Sequence, residues 1–208
     1  LVFPIAESDM ICEPINIPDH WPRICGLDFG WDHPTAAAWA AWDRDSDIIY
    51  IYDTYAMSQE AVPIHASAVK ARGQWIPVIW PMDGRQADKG SGKSLTEQYR
   101  NEGVNMTREH FTNPPQQGQK ENTGGISVEA GVQEMYTRFM TNRLKIFNNQ
   151  SKLLEELRMY HRKDGKIVFK HDDVISAARY AVMSVRKARV KNYEPKQLYS
   201  DSSFNVFA

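Results

Sequence analysis

The chain has 208 residues, of which 42% are hydrophobic and 25% are charged, so it can build one sizeable core or two small ones. Its 11% aromatic content argues against a disordered chain, and the sequence contains neither an apolar run long enough to span a membrane nor a signal-peptide pattern. Two cysteines, Cys12 and Cys25, exclude a disulfide framework and favour a reducing compartment.

The net charge of −1 hides an uneven distribution along the chain. Residues 1–60 hold 11 acidic and 2 basic side chains, a balance of −9, whereas residues 138–191 hold 14 basic and 5 acidic ones, a balance of +9. A fold that joins these halves could hold cations at the acids and a polyanion on a basic surface. Solvated surfaces also vary in sign without any function, so charge alone leaves both interpretations open.

The first half of the chain predicts an extended lead-in followed by an antiparallel meander. Residues 1–22 are rich in proline and show no sustained periodicity. Residues 23–29 and 47–54 are apolar, strand-like runs, and the turn-forming residues 43–46 favour a strand over 35–42 as well. We therefore expect these three strands to pair in chain order.

The second half predicts a sheet flanked by helices. A strand–helix–strand alternation over 76–80, 95–101 and 104–106 indicates a parallel part of the sheet. Residues 112–126 predict a loop, and Asp164-Gly165 a hairpin turn before residues 166–169. The fold class is therefore α/β, a mixed sheet with a flexible tail from residue 191. Helices are expected at 58–71, 128–139, 150–160 and 173–189.

Three aspartates stand where such a fold places ligands. Asp28 interrupts a buried strand, and a buried carboxylate is costly unless it is paired or binds a cation. Asp83 follows the strand 76–80, and strand ends are common ligand sites. Asp173 opens a helix whose small residues on one face would let it approach the sheet closely. Each position also has an ordinary interpretation: an edge-strand acid, a turn acid and a helix cap.

Together, the three carboxylates indicate a centre for hard divalent cations, because the set contains no histidine or cysteine ligand. Two Mg²⁺ or Mn²⁺ ions held in this way can activate water and stabilise a leaving oxygen in phosphodiester cleavage.

Three segments of the chain resemble the C-terminal nuclease domain of large terminase subunits from tailed double-stranded DNA phages, in particular the headful-packaging type of short-tailed phages. They are GLDFGWDHPTAAAWAAW, PMDGRQADKGSGKSLTEQYRNEGVNM and HDDVISAARYAVM, and the resemblance covers about residues 15–188. It implies a ribonuclease H-like fold and a metal-dependent endonuclease that cuts concatemeric phage DNA. Carried over by motif, the catalytic and metal-binding residues are Asp28, Asp83 and Asp173, with Asp172 as the alternative to the last.

The resemblance also implies partners that lie outside this chain. They are double-stranded DNA, an N-terminal packaging ATPase domain, the portal protein and the small terminase subunit, in the host cytoplasm and transiently at the portal vertex. Residues 1–22 would then link to the missing ATPase, residues 23–190 would form the nuclease domain and residues 191–208 a tail. Related terminases often carry Asp where this chain has Ser176, so a fourth acidic ligand is not implied.

Basic side chains near the proposed centre are candidates for contacts with DNA phosphates, although an ordinary solvated face is equally expected of them. Two other functions stay open: a resolvase-like DNA-binding module without catalysis, and half of an actin- or sugar-kinase-like phosphotransferase, suggested by Asp28-Phe-Gly30. The candidate DNA contacts are Lys89, Lys93, Arg158, Arg162, Lys163, Lys166 and Lys170.

Overall fold

The structure, a computed structural model, describes residues 1–86, 92–115 and 124–192. The predicted DNA contact Lys89, the middle of the predicted loop 112–126 and nearly all of the predicted tail lie outside these ranges. No helix within them is long and apolar enough to cross a bilayer.

A six-stranded mixed sheet forms the centre of the fold, as the sequence predicts. Its strands run in the spatial order β1-β6-β4-β3-β2-β5. Strands β2, β3 and β4 form the predicted antiparallel meander, and β5 pairs with β2 in parallel. The strands are β1 Ile11–Cys12, β2 Arg23–Asp28, β3 Thr35–Asp43, β4 Ile48–Met57, β5 Val78–Ile79 and β6 Leu144–Phe147.

Helices cover both faces of the sheet and enclose two apolar layers. One layer joins β2–β4 to the helices of the second half of the chain, and the other joins them to α2 and α3. Alternation along β2 separates the layers, since Ile24 faces the first while Cys25 and Leu27 face the second. The helices are α1 Glu7–Met10, α2 Val62–Ala71, α3 Leu95–Asn101, α4 Val128–Met140, α5 Ser151–Met159 and α6 Asp173–Met183.

Helix α6 lies directly on β2, as its small residues predict. A Cβ atom added to Gly26 would stand only 1.9 Å from the carbonyl oxygen of Ala177. This contact is possible only because residue 26 has no side chain. The helix start, Asp173, is thereby brought towards the carboxyl end of β2, where Asp28 lies.

Several predicted boundaries differ from the structure. Helix α2 begins at Val62, not at 58, because a helix from 58 would place Pro63 beyond the first turn, where it has no N–H for the bond to the carbonyl four residues earlier. Helix α6 ends at Met183, not at 189, because the chain turns at Val185–Lys187 and Arg189 then pairs with Arg23 of β2. The predicted strand 76–80 keeps only Val78–Ile79, and 104–106 contributes one bridge, from Met106 to Val78.

The first twelve residues pack on the domain, which the prediction of an extended lead-in missed. Val2 and Phe3 are buried, and the Phe3 ring meets that of Phe139 edge-on at 5.5 Å between centroids. Strand β1 adds to the sheet by parallel pairing with β6, a strand that the sequence also did not reveal. Local patterning fails here because both strands are short and only their mutual pairing defines them. The division into linker, nuclease domain and tail remains a prediction.

Candidate functional site

Asp28 is the last residue of β2, and its side chain lies on the face that α6 covers. Its neighbours in the chain, Leu27 and Phe29, contribute to the layer on the opposite face. Burial, followed by the charges of Asp83 and Asp173, raises the pKa of the Asp28 carboxyl to about 7. The charge of Asp172 acts on Asp28 in the same direction, so folding brings all the predicted acidic residues into one electrostatic neighbourhood.

Asp83 lies in a 3₁₀ turn, Met82–Arg85, that follows β5. Because β5 and β2 are parallel neighbours, their carboxyl ends meet at the same edge of the sheet. Gly84 lets this turn pack closely: an added Cβ would meet the Phe29 ring at 2.5 Å, and the Thr96 hydroxyl donates to the Gly84 carbonyl at 2.8 Å. Burial raises the pKa of Asp83 as well, although a hydrogen bond from the Gly84 backbone opposes the rise.

Asp172 and Asp173 stand at the N-terminus of α6 in different roles. Asp172 is the N-cap residue, although its side chain makes no capping hydrogen bond, and Asp173 is the first helical residue. Burial and the charge of Asp173 raise the pKa of Asp172, and the charge of Arg179 is the largest influence that lowers it. Asp173 acts on Asp28 more strongly than Asp172 does.

Two charged side chains that the sequence analysis missed support this region. Glu156 of α5 is fully buried, and its Oε2 accepts hydrogen bonds from the backbone N–H groups of Val174 at 2.9 Å and Ile175 at 3.1 Å. It therefore caps the helix that carries Asp173. The sequence offered one signal for its burial: position 156 lies on the same side of the helix as the apolar residues Leu153 and Leu157.

Arg179 of α6 is the second such side chain, and it is only 3% exposed. Its guanidinium carbon lies 4.7 Å from the ring centroid of Tyr180 and 5.5 Å from that of Phe111. Gly131 of α4 leaves room for the aliphatic part, since an added Cβ would lie 2.6 Å from Cγ and Cδ. Its Nη1 has no hydrogen-bond partner in the described part of the protein, and its charge lowers the pKa of Asp28. The positive charge of Arg179 thus offsets part of the negative charge of the acidic residues around Asp28.

The acidic residues are of the type that binds a divalent cation, but their side chains are too far apart to form a complete metal site. Among the described residues, no three His, Cys, Asp or Glu side chains are grouped closely enough to hold a metal ion. Three carboxylates act on Asp28 and one arginine opposes them, so the group of acidic residues carries more negative than positive charge. Carboxylate oxygens are the donors that Mg²⁺ and Mn²⁺ prefer, and Mg²⁺ commonly completes its shell with water and substrate phosphate.

Two of the predicted DNA contacts are paired with acidic side chains within the fold. Arg158 forms a bidentate ion pair with Glu7, both bonds at 2.6 Å, and Arg162 forms one with Glu129, both at 2.7 Å. Lys163 and Lys166 lie on the two-stranded ribbon β7 Arg162–Lys163 and β8 Lys166–Ile167, followed by Lys170. These three lysines are exposed and make no salt bridge within the described ranges. Lys93 is exposed directly before α3.

A cavity of about 630 Å³ adjoins Asp83 on the side of the sheet that α2 and α3 cover. Three aromatic residues, Phe29, Trp31 and Tyr99, line it, and its one histidine among the described residues, His65, shares a hydrogen bond of 2.9 Å with the Tyr55 hydroxyl. The sequence analysis did not identify this cavity.

Comparison with known proteins places this architecture among phage packaging proteins. Residues 25–185 match the family described as the terminase RNaseH-like domain. The large terminase subunit of Salmonella phage P22 is 40% identical over 190 residues, 91% of this chain and 36% of that protein. The chain thus spans about a third of the length of the curated relatives it matches.

Solved structures show the same likeness. The nuclease domain of the P22 large terminase superposes with a TM-score of 0.81 at 39% identity, covering 91% of this chain and 94% of that one. The nuclease domain of the large terminase of bacteriophage SPP1, solved with bound Mn, has a TM-score of 0.55 at 19% identity and covers 85% of this chain and 96% of that one. The second likeness shows a shared fold only.

Proposed function

Because this chain belongs to the terminase RNaseH-like domain family, we propose that it is a divalent-metal-dependent endonuclease that cuts concatemeric double-stranded phage DNA during genome packaging, with little sequence preference. The observation that carries this proposal is the convergence of Asp83 and Asp173 on Asp28, at the edge of the sheet where the parallel strands β2 and β5 both end. The P22 domain, at 39% identity, is called a nuclease domain, and the SPP1 domain contains Mn.

Asp28, Asp83 and Asp173 would hold two Mg²⁺ or Mn²⁺ ions. When bound, such ions activate a water molecule and stabilise the leaving oxygen of a phosphodiester. The protein's own contribution is position and charge. Asp28 is fixed on β2, which has a neighbouring strand on each side, and Glu156 fixes the start of α6 through two backbone hydrogen bonds.

Arg179 reduces the repulsion between the carboxylates while no cation is present. Lys163, Lys166 and Lys170 are proposed to contact the DNA backbone without reading its sequence. In the full-length protein we infer an N-terminal packaging ATPase domain, contacts with the portal protein and the small terminase subunit, and a place in the host cytoplasm and at the portal vertex.

Nicking of supercoiled plasmid DNA tests this function. We expect nicking with Mn²⁺ or Mg²⁺ and none with EDTA, and we expect Asp28→Asn, Asp83→Asn and Asp173→Asn each to lower the rate at least about 100-fold while the thermal unfolding transition remains cooperative. Asp45→Asn is the matched control, because Asp45 is exposed in the β3–β4 turn, at the opposite end of β3 from Asp28.

Each contrary result points to a defined alternative. Undiminished nicking by Asp83→Asn would contradict the assignment of the site. DNA binding without nicking in either metal would favour the resolvase-like module, and ATP-dependent phosphorylation would favour the kinase-like half.

A further inference from the structure

The cavity beside Asp83 has walls suited to a flat, uncharged molecule. Phe29 and Trp31 come from the segment after β2, Tyr99 and Gln98 from α3, and Gln86 follows the turn that carries Asp83. Its volume, about 630 Å³, lies within the usual range of small-molecule sites. Aromatic rings and side-chain amides are the groups that stack on a nucleobase and hydrogen-bond to its edge.

The charge of the lining disfavours a phosphate and permits a base. Glu60 and Asp83 are its two ionisable acids, and none of the described lining residues is a lysine or arginine. Burial lowers the pKa of His65, so this side chain is neutral near pH 7. The lining acids would therefore repel a phosphate group, whereas a neutral aromatic ring would not be repelled by them.

Trp31 stands at the rim of this cavity with 62% of its surface exposed, only three residues after Asp28. The backbone around it is anchored: the Trp31 carbonyl accepts from the Gln59 N–H at 3.0 Å, and the Thr35 hydroxyl donates to the Gly30 carbonyl at 2.9 Å. An added Cβ at Gly30 would lie 2.3 Å from the His33 carbonyl oxygen, so the turn is tight. A fixed backbone thus presents a large indole to solvent beside the acidic site.

We propose that this cavity, called the base pocket from here on, receives one unstacked nucleobase of the DNA strand that is cut, with Trp31 stacking on that base. The inference rests on the proposed nuclease function, because Asp83 belongs both to the acidic site and to the wall of the base pocket. A base held there keeps its own phosphate near the carboxylates. Unstacking is least costly for a mismatched or single-stranded base, so DNA with an unpaired base near the cut is the preferred ligand.

Binding measurements in Ca²⁺, with a fluorescent 30-base-pair duplex that is either fully paired or carries one mismatch, test the proposal. We expect the wild-type protein to bind the mismatched duplex about tenfold more tightly. Trp31→Ala removes the stacking surface and Ala61→Trp fills the base pocket from an exposed position of its wall, so both variants should bind the two duplexes alike. Trp31→Phe should retain the preference.

Met140→Ala is the control, because it also removes an exposed apolar side chain, 58% accessible, at the end of α4. It should keep the tenfold preference. All variants are compared by thermal unfolding, so that a loss of fold is not mistaken for a loss of the base pocket.

Photo-crosslinking from 5-iododeoxyuridine at the mismatch gives a second, direct measurement. Adducts on Trp31, Phe29 or Tyr99 would support the proposal, and adducts confined to other residues would overturn it, as would a preference that survives in both Trp31→Ala and Ala61→Trp.

Plasmid nicking by the wild-type protein is measured in parallel. If nicking occurs but neither pocket result does, only the base pocket is refuted; if nicking fails in every metal, the proposed function is refuted independently.

Discussion

Asp172 and Asp173 are adjacent, and a residue-level comparison can separate their roles. Asp173 is the first residue of α6 and acts more strongly on Asp28 than Asp172 does. We therefore expect Asp173→Asn to lower the Mn²⁺-dependent nicking rate at least about 100-fold and Asp172→Asn to lower it only about tenfold or less. The measurement is the initial rate over a range of Mn²⁺ concentrations. The reverse order of effects would assign the third ligand to Asp172.

Glu156 is expected to make stability depend on pH. Burial is the main reason that its carboxyl has a pKa of about 7 in the folded protein, against an ordinary value of 4.5. Between these two values the folded state retains a proton that the unfolded chain has released, so Glu156 makes the free energy of unfolding fall as pH rises through this window. Above pH 7 the loss is complete and amounts to about 3 kcal/mol.

Glu156→Gln removes this ionisation but keeps an oxygen that can accept from Val174 and Ile175. Urea unfolding in EDTA should therefore show the variant to be more stable than the wild-type protein at pH 8, by up to about 3 kcal/mol, with the difference nearly gone at pH 4. Glu155→Gln, an exposed neighbour on the same helix, is the control. A constant difference at both pH values would show that the folded carboxyl is not perturbed.

At the level of single residues, the sequence predicts the acids but not their supports. Asp28 could be singled out because a charge within a buried strand needs a reason. Glu156 and Arg179 offered the same signal, a charge within an apolar helix face, but their function depends on α5, α6 and α4 meeting in space. The local spacing of residues in the sequence does not predict this arrangement of helices.

Among the elements, the contact between β2 and α6 is the one on which the acidic site depends. Gly26→Ala would place a Cβ 1.9 Å from the Ala177 carbonyl oxygen and 2.9 Å from the Ala181 nitrogen, and these backbone atoms cannot rotate away. We expect a loss of about 3 kcal/mol or more in the free energy of unfolding, seen as a melting temperature about 10 °C lower. Nicking should fall as well, because α6 must move away from Asp28.

Cys25→Ala is the control for this change, since Cys25 is the preceding residue of β2 and faces the opposite layer. It should cost about 1 kcal/mol and leave nicking nearly unchanged. A Gly26→Ala protein with wild-type stability and activity would mean that the helix is not packed on the strand as described.

The elements were predictable where their patterns are local and long. The three meander strands emerge from apolar runs and turn residues, and α3 and α4 emerge as helices from their own segments. The structure adds a capping box at α3, formed by Ser94 and Glu97. Strands β1 and β6 have two and four residues, and each is stabilised by a partner far away in the sequence. The base pocket likewise requires side chains from the segment after β2, from α2 and from α3 to meet, so no single segment indicates it.

For the whole molecule, folding pairs three arginines of the basic half with acidic residues of the first sixty positions. Asp47 is bound by Arg138 at 3.3 Å and by Arg143 at 2.9 Å, and Glu7 is bound by Arg158. These arginines are neutralised within the fold, so not all the basic residues of the second half form a surface for a polyanion. The exposed lysines of the β7–β8 ribbon and its exit remain as the strongest candidates for DNA contact.

The salt dependence of DNA binding measures how many of these lysines meet phosphates. Each phosphate contact adds about 0.9 to the slope of log K against log salt concentration, because binding releases condensed counterions. If Lys163, Lys166 and Lys170 all contact the duplex, replacing the three by alanine should reduce the slope by about 2.7 and weaken binding to all sequences alike. Arg44→Ala serves for comparison, because Arg44 is exposed in the β3–β4 turn, away from Asp28, and should leave the slope as it is. An unchanged slope in the triple variant would show that these three lysines do not contact the duplex. The paired arginines, Arg158 and Arg162, would then be the remaining candidates, with phosphate replacing Glu7 and Glu129 as their partners.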